Sequence, residues 1–170
     1  MRPEPGLALV RVDNRLVHGQ VLEGWLPALS AHAILVADDE AAGNVLARSA
    51  MALAIPSRIS LKVMRVDAAA ELLKPDGKGA PAPRTLLLVR DVRDALALHG
   101  RGVKLPRLNL GNVHFSRGRK AVTPSVYLDA AELEALGQLA ASGTDVEARA
   151  VPSDHPVRLP EMRSRFAATS

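Results

Sequence analysis

The feature that most constrains this chain is a set of short runs that are apolar at nearly every position. HAILVAD (His32–Asp38) and RTLLLVR (Arg84–Arg90) lack polar alternation, so as strands they need cover on both faces. Leu7, Leu9, Val10 and Val12 are strand-like too, as are Ile59–Val66, Arg107–Leu110 and Asp145–Val151. Between them lie segments with helical periodicity: Val17–Leu26, Glu40–Ala54, Asp67–Lys74 with an acidic N-cap, Asp91–His99 ended by Gly100, and Asp129–Ala141. Strands alternating with helices predict a single α/β domain, with a mostly parallel sheet of about six or seven strands and helices on both faces. At 170 residues and 48% hydrophobic, the chain suffices for one domain with a real core and is too short for two comfortable ones. Lys74–Pro83 (KPDGKGAPAP) reads as a surface loop.

In sheets of this kind, ligands collect beyond the carboxyl ends of the strands, where the order of connections reverses. The turn Asp13–Gly19 leaves the first strand there and enters a helix, aiming backbone N–H groups and the positive end of a helix dipole at one point. That point suits an anion. His18 stands just before Gly19, whose missing side chain allows a close approach. A neutral imidazole attacks phosphorus without a metal, provided its proton is fixed and its phosphorylated form is neutralised. Asp13 is a candidate to accept a hydrogen bond from one ring nitrogen. Arg15, Arg11 and the helix start at Gly19 and Gln20 are candidates to hold phosphate oxygens. Spacing alone does not separate this reading from ordinary polar loop residues.

The segment DNRLVHGQVLEGW resembles the signature of the IIB component of the mannose/fructose/sorbose family of the bacterial sugar phosphotransferase system. The resemblance continues through ILVADDEAA, LNLGNVHFSRGRKAVTPSVYL and VEARAVPSD, up to about Pro156. It implies a IIB-type phosphocarrier domain over residues 1–156, with 157–170 as a C-terminal tail. It further implies that His18 carries the phosphoryl group, with Arg11, Asp13 and Arg15 as charged neighbours. The donor would be a IIA component, and the acceptor a sugar held by membrane IIC and IID components, which would make the protein cytoplasmic and peripheral to its transporter. No cofactor is implied, and relatives suggest a homodimer. Asn14 departs from the family, which often has an acidic or hydroxyl residue there, and so alters the charge of the loop.

Other features bear on alternatives. Zero cysteines remove disulfides, thiolate zinc sites and a cysteine nucleophile. No apolar run reaches the ~18 residues of a membrane span, and MRPEPG lacks the apolar core of a signal peptide, so a cytosolic protein is expected. A net charge of +4 with 2% aromatics argues against nucleic acid and suits an acidic protein partner. Asp38–Asp39–Glu40 fits either a Mg2+ or phosphate site or an acidic helix start, and the lysine and later aspartate of a receiver domain are missing. No Gly-rich nucleotide fingerprint follows a strand. Asn14, Asp38, Asn112, His114, Arg117 and Lys120 are candidates for a secondary cleft or a docking surface on the same edge, although charges on such loops are usually just solvated. His32, His99 and His155 read as structural or exposed, and no histidine pair has metal-ligand spacing. A regulatory protein signalling carbohydrate status would need the same His18, so residue order does not separate it from a transport component.

Overall fold

The computed structural model describes residues 6–75 and 83–169. Most of the expected Lys74–Pro83 loop therefore lies outside the described residues. Strands β1 (Gly6–Asp13), β2 (Ala33–Ala37), β3 (Ser60–Met64), β4 (Arg84–Val89), β5 (Arg107–Asn112), β8 (Asp145–Ala148) and β9 (Val157–Arg158) form one sheet in the order β3-β2-β4-β1-β5-β8-β9. Every neighbouring pair is parallel except β8–β9. Strands β6 (Lys120–Thr123) and β7 (Val126–Leu128) form a separate antiparallel hairpin.

Strand parity assigns the core to two layers. Val10, Val12, Leu35, Ala37, Leu87, Val89, Leu108 and Leu110 face one side. There they meet α4 (Val66–Leu73), α5 (Val92–Gly100) and α6 (Ala130–Ala141). Leu9, Ile34, Val36, Leu86 and Leu88 face the other side, against Val21, Trp25, Leu26 and Leu29. The apolar pattern thus obtains cover on both faces. Because parallel crossovers are right-handed, helices of connections running toward β3 lie on one layer and those running toward β8 on the other. The change of layer opens a crevice at the carboxyl ends of β1 and β5. Asn14 follows β1 there, and its amide donates to Asn112 O at 2.9 Å.

Several elements depart from expectation for local reasons. Residues 19–29 are helical, but Val21–Trp25 is a π-helical turn leading into α1 (Leu26–Leu29). The expected helix Glu40–Ala54 breaks into α2 (Asp39–Ala42) and α3 (Val45–Ala54). Asn44 causes the break, since its side chain accepts from Ala47 N at 3.0 Å and restarts the helix. The N-cap of α4 is Arg65 rather than an acid, and Asp39 Oδ1 receives the Val66 amide instead. Residues 149–151 fall outside the last parallel strand.

The residues from 157 onward, read from the sequence as a C-terminal tail, form β9 and then α7 (Leu159–Ala168). Pro160 falls in the first turn, where a missing N–H costs nothing, so it starts this helix instead of breaking it. Leu159, Met162 and Phe166 stand three and four residues apart and pack on the α6 layer. No helix among the described residues is long and apolar enough to cross a membrane. Met162 is fully buried, so Met162→Ala should lower the unfolding free energy by about 2–4 kcal/mol. A urea midpoint equal to that of the parent would contradict the packing of α7.

Candidate active site

The loop leaving β1 carries the candidate nucleophile, and its shape is set by two backbone devices. Asp13 O accepts from Leu16 N at 3.0 Å, while Asp13 Oδ1 accepts from Arg15 N at 3.0 Å. Leu16 adopts a left-handed φ of 56°, which costs about 1–2 kcal/mol in a residue with a Cβ. Burial of its side chain among Trp25 and Leu26 holds it there. The chain then turns into the helix with His18 O accepting from Val21 and Leu22. Among the described residues, the amides of Val17, His18, Gly19 and Gln20 have no acceptor.

His18 Nε2 lies 2.8 Å from Asp13 Oδ2, which as a carboxylate can only accept, so Nε2 carries the proton. Nδ1 receives no hydrogen bond from the described residues. The buried unpaired side-chain nitrogens among the described residues are Arg11 Nε and Arg149 Nε. Nδ1 is not one of them and therefore opens to solvent, although the side chain as a whole is only 14% exposed. The ring is therefore not entombed.

Asp13 is held from behind by an extended polar ladder. Cross-strand register aligns Arg11 with Asn109 and Asn109 with Glu147, so all three point to the same face of the sheet. Arg11 donates to Asn109 Oδ1 at 2.6 Å and to Asp13 Oδ2 at 3.1 Å, and also to the carbonyls of Arg149 and Ala150. Asn109 donates to Glu147 at 3.3 Å, which also takes Arg149 at 2.8 Å. Trp25 covers both guanidinium groups, with centroid distances of 4.9 Å and 5.5 Å, and donates its indole N–H to Ala150 O. Arg11 is thus 0% exposed. It is not free to hold phosphate oxygens, as the sequence reading expected, because both terminal nitrogens are committed inside the sheet. Its role is to prop Asp13.

Burial raises the Asp13 carboxyl, but the bonds from His18 and the Arg15 amide, with the Arg11 charge, outweigh it and keep it below the usual range. Burial pulls the Arg11 guanidinium below its ordinary value against the opposing pull of Asp13. Arg15 is the cation at the mouth. Its Nη2 donates to Gln20 Oε1 at 2.8 Å, its Nε lies 3.6 Å from Asp13 Oδ1, and its Nη1 has no partner among the described residues. The Asn112 amide satisfies all its neighbours when its oxygen accepts from Arg15 Nε at 3.0 Å and His114 Nε2 at 3.1 Å, with its nitrogen facing Ser125 O. Asn14 binds across the crevice, accepting from the His114 amide and donating to Arg90 O.

The remaining candidates divide. Asn14, Asn112 and His114 join the rim of the His18 loop, and Arg117 is exposed on the loop beyond. Asp38 instead caps α2 through Ala41 N and pairs with Arg90 at 2.8 and 3.0 Å. Burial raises its carboxyl, yet the Arg90 and Ala41 bonds prevail and lower it, the state of a structural cap. Lys120 turns toward α7, with Nζ 4.7 Å from the Phe166 ring. No group of three or more His, Asp or Glu side chains among the described residues could hold a metal ion. Residue spacing did not single out Asn109, Glu147, Arg149 or Trp25. Polar residues on one parity of otherwise apolar strands were the available signal.

A family model for the PTS system sorbose subfamily IIB component matches residues 7–168. The chain belongs to this family. Relatives include N-acetylgalactosamine-specific phosphotransferase enzyme IIB component 1 of Escherichia coli, 30% identical over 92% of this chain and 98% of that protein. The mannose-specific EIIAB component of E. coli is 28% identical over 94% of this IIB chain, which spans 49% of that protein. The IIBSor domain of the sorbose permease from Klebsiella pneumoniae superposes with a TM-score of 0.83 at 26% identity, covering 94% of this chain and 97% of that one.

Two consequences test the ladder in this IIB component. A Cβ on Gly111 would sit 2.0 Å from Arg11 Cζ, whereas one on Gly19 would meet nothing within 4 Å. Gly111→Ala should therefore cost about 3 kcal/mol or more in urea unfolding, and Gly19→Ala should stay within about 1 kcal/mol of the parent. Equal stabilities for the two variants would contradict the placement of Arg11. Asp13 has a folded-state pKa below its unfolded value, so its stabilisation is complete above about pH 3.9 and is lost as pH falls through the lower folded value. Asp13→Asn should be less stable than the parent at neutral pH, with the gap narrowing on acidification, as read by melting curves across pH. A gap independent of pH would contradict it.

Proposed function

We propose that this IIB component is a cytoplasmic phosphoryl carrier in which His18 Nδ1 is the nucleophile. The observation that carries the reading is a histidine with Nε2–H engaged by a buried carboxylate and Nδ1 open at the crevice mouth. The donor is a phosphohistidine on a IIA protein. The His18 Nδ1 lone pair forms the new N–P bond while the donor's P–N bond breaks and its electron pair returns to the donor imidazole. Phosphoryl transfer of this kind passes through a loose transition state, so positioning and charge neutralisation supply most of the catalysis.

Each part of the loop has a role in that step. Asp13 fixes the tautomer and stabilises the ring as phosphorylation makes it more positive. Arg15 presents its unpartnered Nη1 to the phosphoryl oxygens, and the unpaired amides of residues 17–20 add donors at the start of the helix. Gly19 leaves room for the incoming donor, since no neighbour occupies its side-chain position. The phosphoryl group then passes to a sugar hydroxyl held by membrane IIC and IID components, the partners that membership of the family brings with it.

Incubation with enzyme I, HPr, the organism's own IIA protein and labelled phosphoenolpyruvate tests the reading. The parent chain should take up a stoichiometric, acid-labile and base-stable label, and His18→Ala should take up none while melting normally. Stoichiometric labelling of the folded His18→Ala chain would refute the assignment.

A further inference from the structure

The chain has only two phenylalanines, and one of them, Phe115, is 67% exposed. Its ring touches Tyr127 edge-on, with centroids 5.7 Å apart and planes at 78°. The segment carrying it is tied down at both ends. On one side Val113 N donates to Ser125 O at 2.9 Å and Tyr127 N to Val113 O at 3.0 Å. The His114 amide is held by Asn14, four residues before His18 in sequence. On the other side Arg119 N closes a turn on Ser116 O, with Gly118 at φ 88° within it. The Arg119 side chain donates to His114 O and is paired with the buried Glu132. Phe115 is therefore an exposed aromatic on an ordered backbone. Such a group adds apolar contact area to an interface at little cost in ordering, which is the property of a binding anchor.

We infer that Phe115 anchors the protein that delivers the phosphoryl group to His18. This rests on the phosphocarrier reading and extends it to a residue that does not touch the reacting atoms. Two observations support a partner that seats over His18, as the donor must. First, the Phe115 loop and the His18 loop are bridged by Asn14 and Asn112, so a body seated over His18 also meets Phe115. Second, Arg117 lies on the same loop and Arg15 across the bridge, where Arg15 Nε is 3.6 Å from the buried Asp13, and the segment from Val113 to Lys120 carries no acid. The matching partner surface is an apolar recess with an acidic rim, beside a phosphohistidine. Arg117 and Arg15 favour its approach through long-range attraction, and Phe115 slows its departure.

The test compares two phosphoryl donors on the Phe115→Ala chain. With the organism's own phosphorylated IIA protein, KM should rise about ten-fold at nearly unchanged kcat, the range of an anchor residue. With phosphoramidate, a small donor that needs no docking, the rate should stay within about two-fold of the parent. Phe115→Leu should recover part of the loss with IIA. An unchanged KM for IIA overturns the inference, and so does an equal loss with both donors, which would place Phe115 in the support of the His18 loop. Slower transfer to the membrane component alone, or altered self-association alone, overturns it as well by assigning the ring to another partner. A parent chain labelled by neither donor would instead defeat the phosphocarrier reading itself.

Discussion

The arrangement depends on a buried ion pair. Arg11 and Asp13 lie two residues apart on one strand, both fully inside the protein, with the same carboxylate oxygen serving Arg11 and His18. A lone buried carboxylate would take a proton, and a lone buried guanidinium would cost several kcal/mol. Together they keep Asp13 ionised, and an ionised acceptor fixes the imidazole proton on Nε2. Asn109, Glu147 and Arg149 extend the pair across three strands, so the orientation of one ring is referred to the sheet rather than to a mobile loop.

This ladder also explains why the layer beneath β1, β5 and β8 is polar where the rest of the sheet is aliphatic. Trp25 covers it, offering a ring face to two guanidinium groups and an N–H to the Ala150 carbonyl. The cost is local: a bare Gly111 beside Arg11, a left-handed Leu16 and two guanidine nitrogens left unpaired. Strain and unsatisfied groups cluster next to functional sites when surrounding packing enforces them. The exposed edge carries the other half of the device, where Arg15, the open amides and the Phe115 loop face whatever approaches.

Strands of uniform apolarity declared themselves in the sequence because parallel strands covered on both faces have no solvent side to mark. The His18 turn was legible for a different reason, since hydrophobic spacing changes from strand to helix across Asp13–Gly19. The direction of Arg11 was not legible. A charged residue inside a strand points to solvent or to a buried partner according to which strands flank it, and the order β4-β1-β5 arises only in three dimensions. Prolines and arginines likewise hid α7, although Leu159, Met162 and Phe166 carried helical spacing. Asp38 was ambiguous because an acid after a strand suits a ligand site and a helix cap equally, and Arg90, distant in sequence, decides between them.

The most direct measurement is of the His18 ring itself. Nitrogen-15 spectra of the unphosphorylated chain, followed by phosphorus-coupled spectra after phosphorylation, read the proton position and the site of attachment in turn. The ladder predicts a proton on Nε2, and then a phosphorus coupling at Nδ1 with Nε2 still protonated. A proton resting on Nδ1, or a coupling at Nε2, would contradict the claim that Asp13 sets which nitrogen reacts.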